Sequence, residues 1–115
     1  MKLPELLNIS DVQKLVNLSF SFPDHIFIVI INRPSNINEL FTWIDIIGNF
    51  ESKANIYLVN LRKNPTVEIE LSRCFNYLAR NICILLVQNG TCVEALTYNE
   101  MTGINLNKLL QYRLH

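Results

Sequence analysis

Much of what catalytic sites are commonly built from is scarce in this chain. Its 115 residues include two histidines, three glycines and one tryptophan. Gly48, Gly90 and Gly103 stand far apart, so no glycine-rich loop is present to cradle a phosphate. His25 and His115 supply neither a Ser-His-Asp set nor a four-ligand zinc site, and no metal or cofactor is expected. Cys74, Cys83 and Cys92 are odd in number and form no Cys-X-X-Cys pair, which argues against structural disulfides and for a reducing compartment. Lys and Arg total 10, Asp and Glu total 10, and the formal net charge is zero. A nucleic-acid partner is therefore not expected, because that binding draws on clustered cations. The longest apolar run, Ile26 to Ile31, falls far short of the roughly 18 residues that span a bilayer, so no membrane role is expected. Pro4, Glu5 and Asn8 interrupt any secretory hydrophobic segment, and a cytoplasmic location is the expectation.

What the chain does have is apolar patterning. Half of its residues are hydrophobic and 17% are charged, which suits one globular domain over residues 1–115. "SDVQ" reads as a capping box, with Ser10 as cap and Gln13 reaching back. Val12, Leu15, Val16 and Ser19 then form a buried stripe that ends before Pro23. "IFIVIIN" is apolar on both parities, as in a central strand covered on two faces. A loop containing Arg33, Pro34, Ser35 and Asn36 leads into a helix from Asn36 to about Phe50, with Ser35 or Asn36 as cap. Ile37, Leu40, Phe41, Ile44 and Ile47 form its expected core stripe. Trp43, Ile46 and Phe50 repeat at intervals of 3 and 4 beside it.

"NIYLVNL" is a second strand, expected parallel to the first. Asn64 as cap and Pro65 at the first helical position open a third helix, with Val67, Leu71, Cys74, Phe75 and Leu78 inward. Glu68 and Glu70 lie two apart, do not face each other, and read as solvated. Asn89-Gly90 between apolar runs marks a two-residue type I′ hairpin. Counting out from that turn pairs Val87 with Cys92 and Cys83 with Leu96, so Cys83 and Cys92 share a face, too far apart to bond. "TGINLNKLLQYRL" closes the chain as a helix, with Leu106, Leu109, Leu110 and Leu114 inward.

The order α-β-α-β-α-β-β-α is the plan of an α/β, thioredoxin-like domain, a four-stranded mixed sheet flanked by helices on both faces. In that plan the chemistry sits after the first core strand, at the start of the next helix, where the helix dipole lowers a thiol pKa. Over about Asn8 to Leu110 the chain resembles the bacilliredoxin-like monothiol family. The resemblance is carried by "IFIVIINRPSNINEL", by "NIYLVNLRKNPTVEIELSRCFNYLARNICILLVQNGTCVEAL" and by "TGINLNKL". It implies that the family's cysteine falls at Asn36 and its cis-proline at Ile82. An amide cannot attack a disulfide, and a cis Asn81–Ile82 bond would cost about 2.5–4 kcal/mol.

Three readings of function follow. The first is a redox-inactive thioredoxin-like domain, not an enzyme, acting as a protein-binding, chaperone-like or scaffold module. The Trp43, Ile46 and Phe50 stripe is then either covered by the last helix or open to a partner or a homodimer with Trp43 as anchor. The second is a thiol-disulfide oxidoreductase working from a non-standard cysteine, of which Cys92 is the most reachable. The third is a small-anion site at the helix start, where Arg33, Ser35 and the N–H groups of Asn36 to Asn38 would cradle a carboxylate or phosphate. Set against it, Ser35 or Asn36 merely caps the helix and Arg33 points into water.

Overall fold

Apolar residues at both parities make two central strands, and one-sided stripes make four helices to cover them. The computed structural model describes residues 3–33, 37–50, 54–77, 82–97, 100 and 103–114. The elements are α1 (Ile9–Ser21), β1 (Ile26–Asn32), α2 (Ile37–Gly48), β2 (Ala54–Asn60), α3 (Thr66–Phe75), β3 (Ile82–Gln88), β4 (Thr91–Thr97) and α4 (Gly103–Leu114). The sheet order is β2-β1-β3-β4. β1 and β2 are parallel in the register Ile28↔Ile56, while β1/β3 and β3/β4 are antiparallel. This is the expected element order and the expected mixed sheet. Among the described residues, no helix is long and apolar enough to cross a membrane.

Alternation along β1 divides the core in two. Ile26, Ile28 and Ile30 face α2 and α4, in a cluster with Leu40, Trp43, Ile47, Leu106 and Leu110. Phe27, Val29 and Ile31 face α1 and α3, in a cluster with Val12, Leu15, Val67, Leu71 and Phe75. Both faces are dry, which is why β1 and β3 carry almost no polar side chain.

Local details depart from the sequence reading. The cap of α1 is Asn8, not Ser10: the Asp11 N–H donates to Asn8 Oδ1 (3.0 Å), and Asp11 Oδ2 accepts from the Leu7 N–H (2.8 Å). Asparagine and aspartate thus share the reciprocal capping expected of Ser10 and Gln13, and Gln13 is left to reach α3. α3 ends at Phe75, because Asn76 turns left-handed (φ 52°) and its N–H closes on the Ser72 carbonyl. Pro65 lies in the helical region before α3, and no side chain caps that helix. Leu78, expected on the same stripe, lies outside the described residues. Pro4 to Leu6, unassigned from sequence, run beside the outer edge of β2. The Leu6 N–H donates to the Leu58 carbonyl and the Leu58 N–H to the Pro4 carbonyl, both at 2.9 Å, so part of that edge is satisfied.

The hairpin is type I′ as expected, with positive φ at Asn89 (51°) and Gly90 (73°). Val87 pairs with Cys92, but Leu96 pairs with Ile84 and not with Cys83. The register slips between Ile82 and Ile84, and Cys83 is the extra residue of a bulge. As a result Cys83 faces α2 and α4 while Cys92 packs against the opposite cluster, which corrects the expectation of a shared face. An alanine at Gly90 would hold an L-residue at φ 73° and drive its Cβ to 2.1 Å from the Phe20 ring. Gly90→Ala is expected to cost about 1–2 kcal/mol for the backbone alone, read as a lower urea midpoint at unchanged slope.

Candidate functional site

The sequence points to the mouth between β1 and α2, so the site is built from there. β1 ends at Asn32, and Arg33 leaves it toward α3. The guanidinium is not in water: the side chain is 13% exposed and forms an ion pair with Glu68 of α3, itself 16% exposed. Both carboxylate oxygens take part, Arg33 Nη1 lying 3.3 Å from Glu68 Oε1. Arg33 Nε also donates to the carbonyl of Ile82 (2.9 Å). One planar cation therefore ties together the end of β1, the start of β3 and the first turn of α3. Ile82 is 5% exposed and its side chain joins the α1/α3 cluster.

Tyr77, just past α3, completes this corner. Its hydroxyl is buried and has no hydrogen-bond partner, and burial, followed by the charge of Glu68, pushes its pKa far above the usual phenol value. Nothing in the sequence pairs Arg33 with Glu68 or sets Tyr77 beside them. Those residues lie on separate elements, and only the fold brings them into one corner. Ser35 and Asn36 lie outside the described residues, as does the Asn81–Ile82 bond.

Both expectations for the two glutamates need correcting. Glu68 is held by Arg33. Glu70, 7% exposed, accepts from Gln13 Nε2 (3.2 Å) and from the Cys74 thiol (3.3 Å) and is paired with Arg73. The hydrogen bond from Arg73 holds its carboxyl below the usual carboxylate range. The reason is geometric. α1 packs on α3 through Val12 and Leu15, which brings the flank of α3 against Gln13 and removes it from water.

Trp43 also stands elsewhere than on an open face. It is 2% exposed and, with Leu40 and Ile47, forms the true core stripe of α2 beneath α4. Ile46 and Phe50 are partly buried against the same cluster. Phe41, expected inward, is 73% exposed. The helix is rotated relative to the simple stripe, because α4 packs on the side where Trp43 offers the largest apolar surface.

None of the three cysteines occupies the mouth. Cys83 is fully buried in the sheet. Cys74, partly exposed on α3, donates its proton to Glu70; burial, and then that carboxylate, push its pKa up. Cys92 donates to the Glu94 carbonyl (3.3 Å), and burial raises its pKa as well. A separate pocket of about 170 Å³ is floored by Leu6, Leu15, Leu18 and Tyr57 and rimmed by Glu5, Asp11 and Lys14. No cysteine, serine or histidine is among these lining residues.

The arrangement at the mouth is thus a neutralised cation over a covered backbone carbonyl, with a protonated phenol nearby. Among the described residues it presents no thiolate and no activated hydroxyl. No family model and no curated protein matches this sequence. Among solved structures, the chain is similar to one described as "A putative oxidoreductase with a thioredoxin fold". The TM-score is 0.69 at 11% identity, over 91% of this chain and 90% of that one. It is also similar to a designed protein, with a TM-score of 0.61 at 14% identity over 96% of this chain and 99% of that one. At these identities the likeness is one of fold: the domain is thioredoxin-like, with four helices around a four-stranded mixed sheet.

Proposed function

We propose that this chain is a redox-inactive thioredoxin-like domain that works as a protein-binding or scaffold module. The observation that carries the reading is the position of its sulfur. The thiols lie on α3, β3 and β4, and the two that are partly exposed both have raised pKa values. A thiol-disulfide catalyst needs the reverse, a thiolate stabilised at a helix start. The resemblance to the bacilliredoxin-like family supports the same reading, since it sets Asn36 and Ile82 where those proteins carry cysteine and proline. The small-anion alternative is disfavoured by Arg33, whose charge is already answered by Glu68. A partner meeting α2 would touch Phe41, not Trp43.

The test is turnover of a cysteine–glutathione mixed disulfide, together with the pH dependence of iodoacetamide alkylation. No turnover is expected. Alkylation of Cys74 and Cys92 should be slower at neutral pH than that of a free thiol, accelerating only above roughly pH 8.5, the ordinary thiol value. Turnover that disappears in Cys92→Ser would overturn the proposal in favour of the oxidoreductase reading. The same protons carry a stability consequence. A folded-state pKa above the unfolded one stabilises the fold fully below the unfolded value, and that contribution is lost as pH rises through the folded value. Unfolding should therefore become easier on the alkaline side. Sedimentation over a wide concentration range tests one partner class: a rising mass marks a second copy of the chain, and a constant one rules self-association out.

A further inference from the structure

The hairpin tip joins an exposed asparagine to a glycine. An Asn-Gly pair is chemically fragile, because the glycine amide nitrogen meets no side chain when it approaches the asparagine carboxamide. Here that nitrogen is not at liberty. The Gly90 N–H donates to Ser19 Oγ (2.9 Å), and the Ser19 hydroxyl donates in turn to the Val16 carbonyl (2.8 Å). The hydroxyl proton is thus directed away, and a lone pair faces the Gly90 N–H. Ser19 is fully buried, and the ring of Phe20 lies over Gly90. Asn89 and Gly90 are both held at positive φ by the type I′ turn.

We propose that Asn89 is a deamidation site whose rate is governed by Ser19 of α1. In the reaction the Gly90 nitrogen gives its proton to solvent base and adds to Asn89 Cγ. Ammonia leaves, and a succinimide ring closes. One water then opens the ring at either carbonyl, giving aspartate or isoaspartate. The net change is one water consumed and one ammonia released, with no oxidation or reduction. Ser19 opposes the first step by holding the proton that must depart and by restraining the nitrogen that must move. The consequence reaches beyond the turn. Isoaspartate adds a backbone carbon to a two-residue loop, which breaks the Gln88↔Thr91 and Val87↔Cys92 pairing and releases the end of α1 from the hairpin.

The experiment follows the mass increase and isoaspartate at Asn89 in the full chain at neutral pH, localised by fragment mass spectrometry. It compares native wild type, wild type in guanidinium chloride, Ser19→Ala and Ser72→Ala. The Ser72 hydroxyl donates to the Ile69 carbonyl in its own helix, away from the hairpin, and serves as the control. Native wild type should react more slowly than the denatured chain. Folded Ser19→Ala should react about fivefold faster than native wild type, the factor that one net hydrogen bond is worth, with Ser72→Ala unchanged. Equal rates for Ser19→Ala and wild type would overturn the proposal. If Ser19→Ala does not fold, wild type decides: a native rate equal to the denatured one, or a Gly90 amide that exchanges without protection, overturns it equally.

Discussion

Trp43→Ala is expected to cost about 3–5 kcal/mol, the usual range for truncating a buried tryptophan. A domain of this size has about 5–15 kcal/mol in total, so the variant should be partly unfolded at modest denaturant. The argument is one of volume and place. Trp43 is 2% exposed and sits in the cluster that joins β1, α2 and α4. Removing the indole leaves a cavity that backbone on two helices and a strand cannot readily collapse into. Phe41, two residues earlier, supplies the contrast. At 73% exposure its truncation should shift stability by no more than about 0.5 kcal/mol. Urea unfolding followed by circular dichroism measures both, since the variant loses the only tryptophan. Equal costs at the two positions would contradict the rotation of α2 described above.

The second large effect is expected at the Arg33–Glu68 pair. Arg33→Ala should cost about 3 kcal/mol, the low end for breaking a buried ion pair, because Glu68 is left charged at 16% exposure. The Ile82 carbonyl loses its donor in the same step. Arg33→Lys should recover only part of this, since an ammonium cannot span two carboxylate oxygens and a carbonyl at once. Glu68→Ala removes the carboxylate that pairs with the guanidinium and should also destabilise. The double variant should cost less than the sum of the singles by more than 1 kcal/mol, the signature of direct coupling. Additive costs would mean that the two side chains do not meet in solution. Glu68→Gln removes the charge that answers Arg33, so titrating that variant with phosphate tests whether the pair is what disfavours anion binding near the end of β1.

The architecture was legible from residue pattern because it rests on short-range regularities. Ile26 to Asn32 could hardly be anything but a buried strand. Asn89-Gly90 announced its turn, and of the stripe Val12, Leu15, Val16 and Ser19 three are buried on the inner face of α1 and Val16 is partly so. The candidate site was less legible. Arg33 could be named, but its partner could not, because Glu68 lies on another element and has no local reason to turn inward. The same holds for Glu70, whose burial follows from α1 docking on α3 through Gln13. Asn36, where the family resemblance sets a lost cysteine, and Ser35 beside it lie outside the described residues.

Two cases show where local pattern stops. On α2 the stripes through Phe41 and through Trp43 are nearly equal in apolar content, and helix periodicity cannot choose between them. α4 makes the choice by packing over Trp43. On β3 strict alternation would send Cys83 to the face of Cys92, yet a bulge inserts one residue and reverses that side. Periodicity is a property of one segment, and it settled element type, order and the hairpin turn. Which residue faces which, and which charges meet, is a property of pairs far apart in the chain. Those were decided by the closure of helices onto the sheet, where apolar volume and polar pairing must be satisfied together.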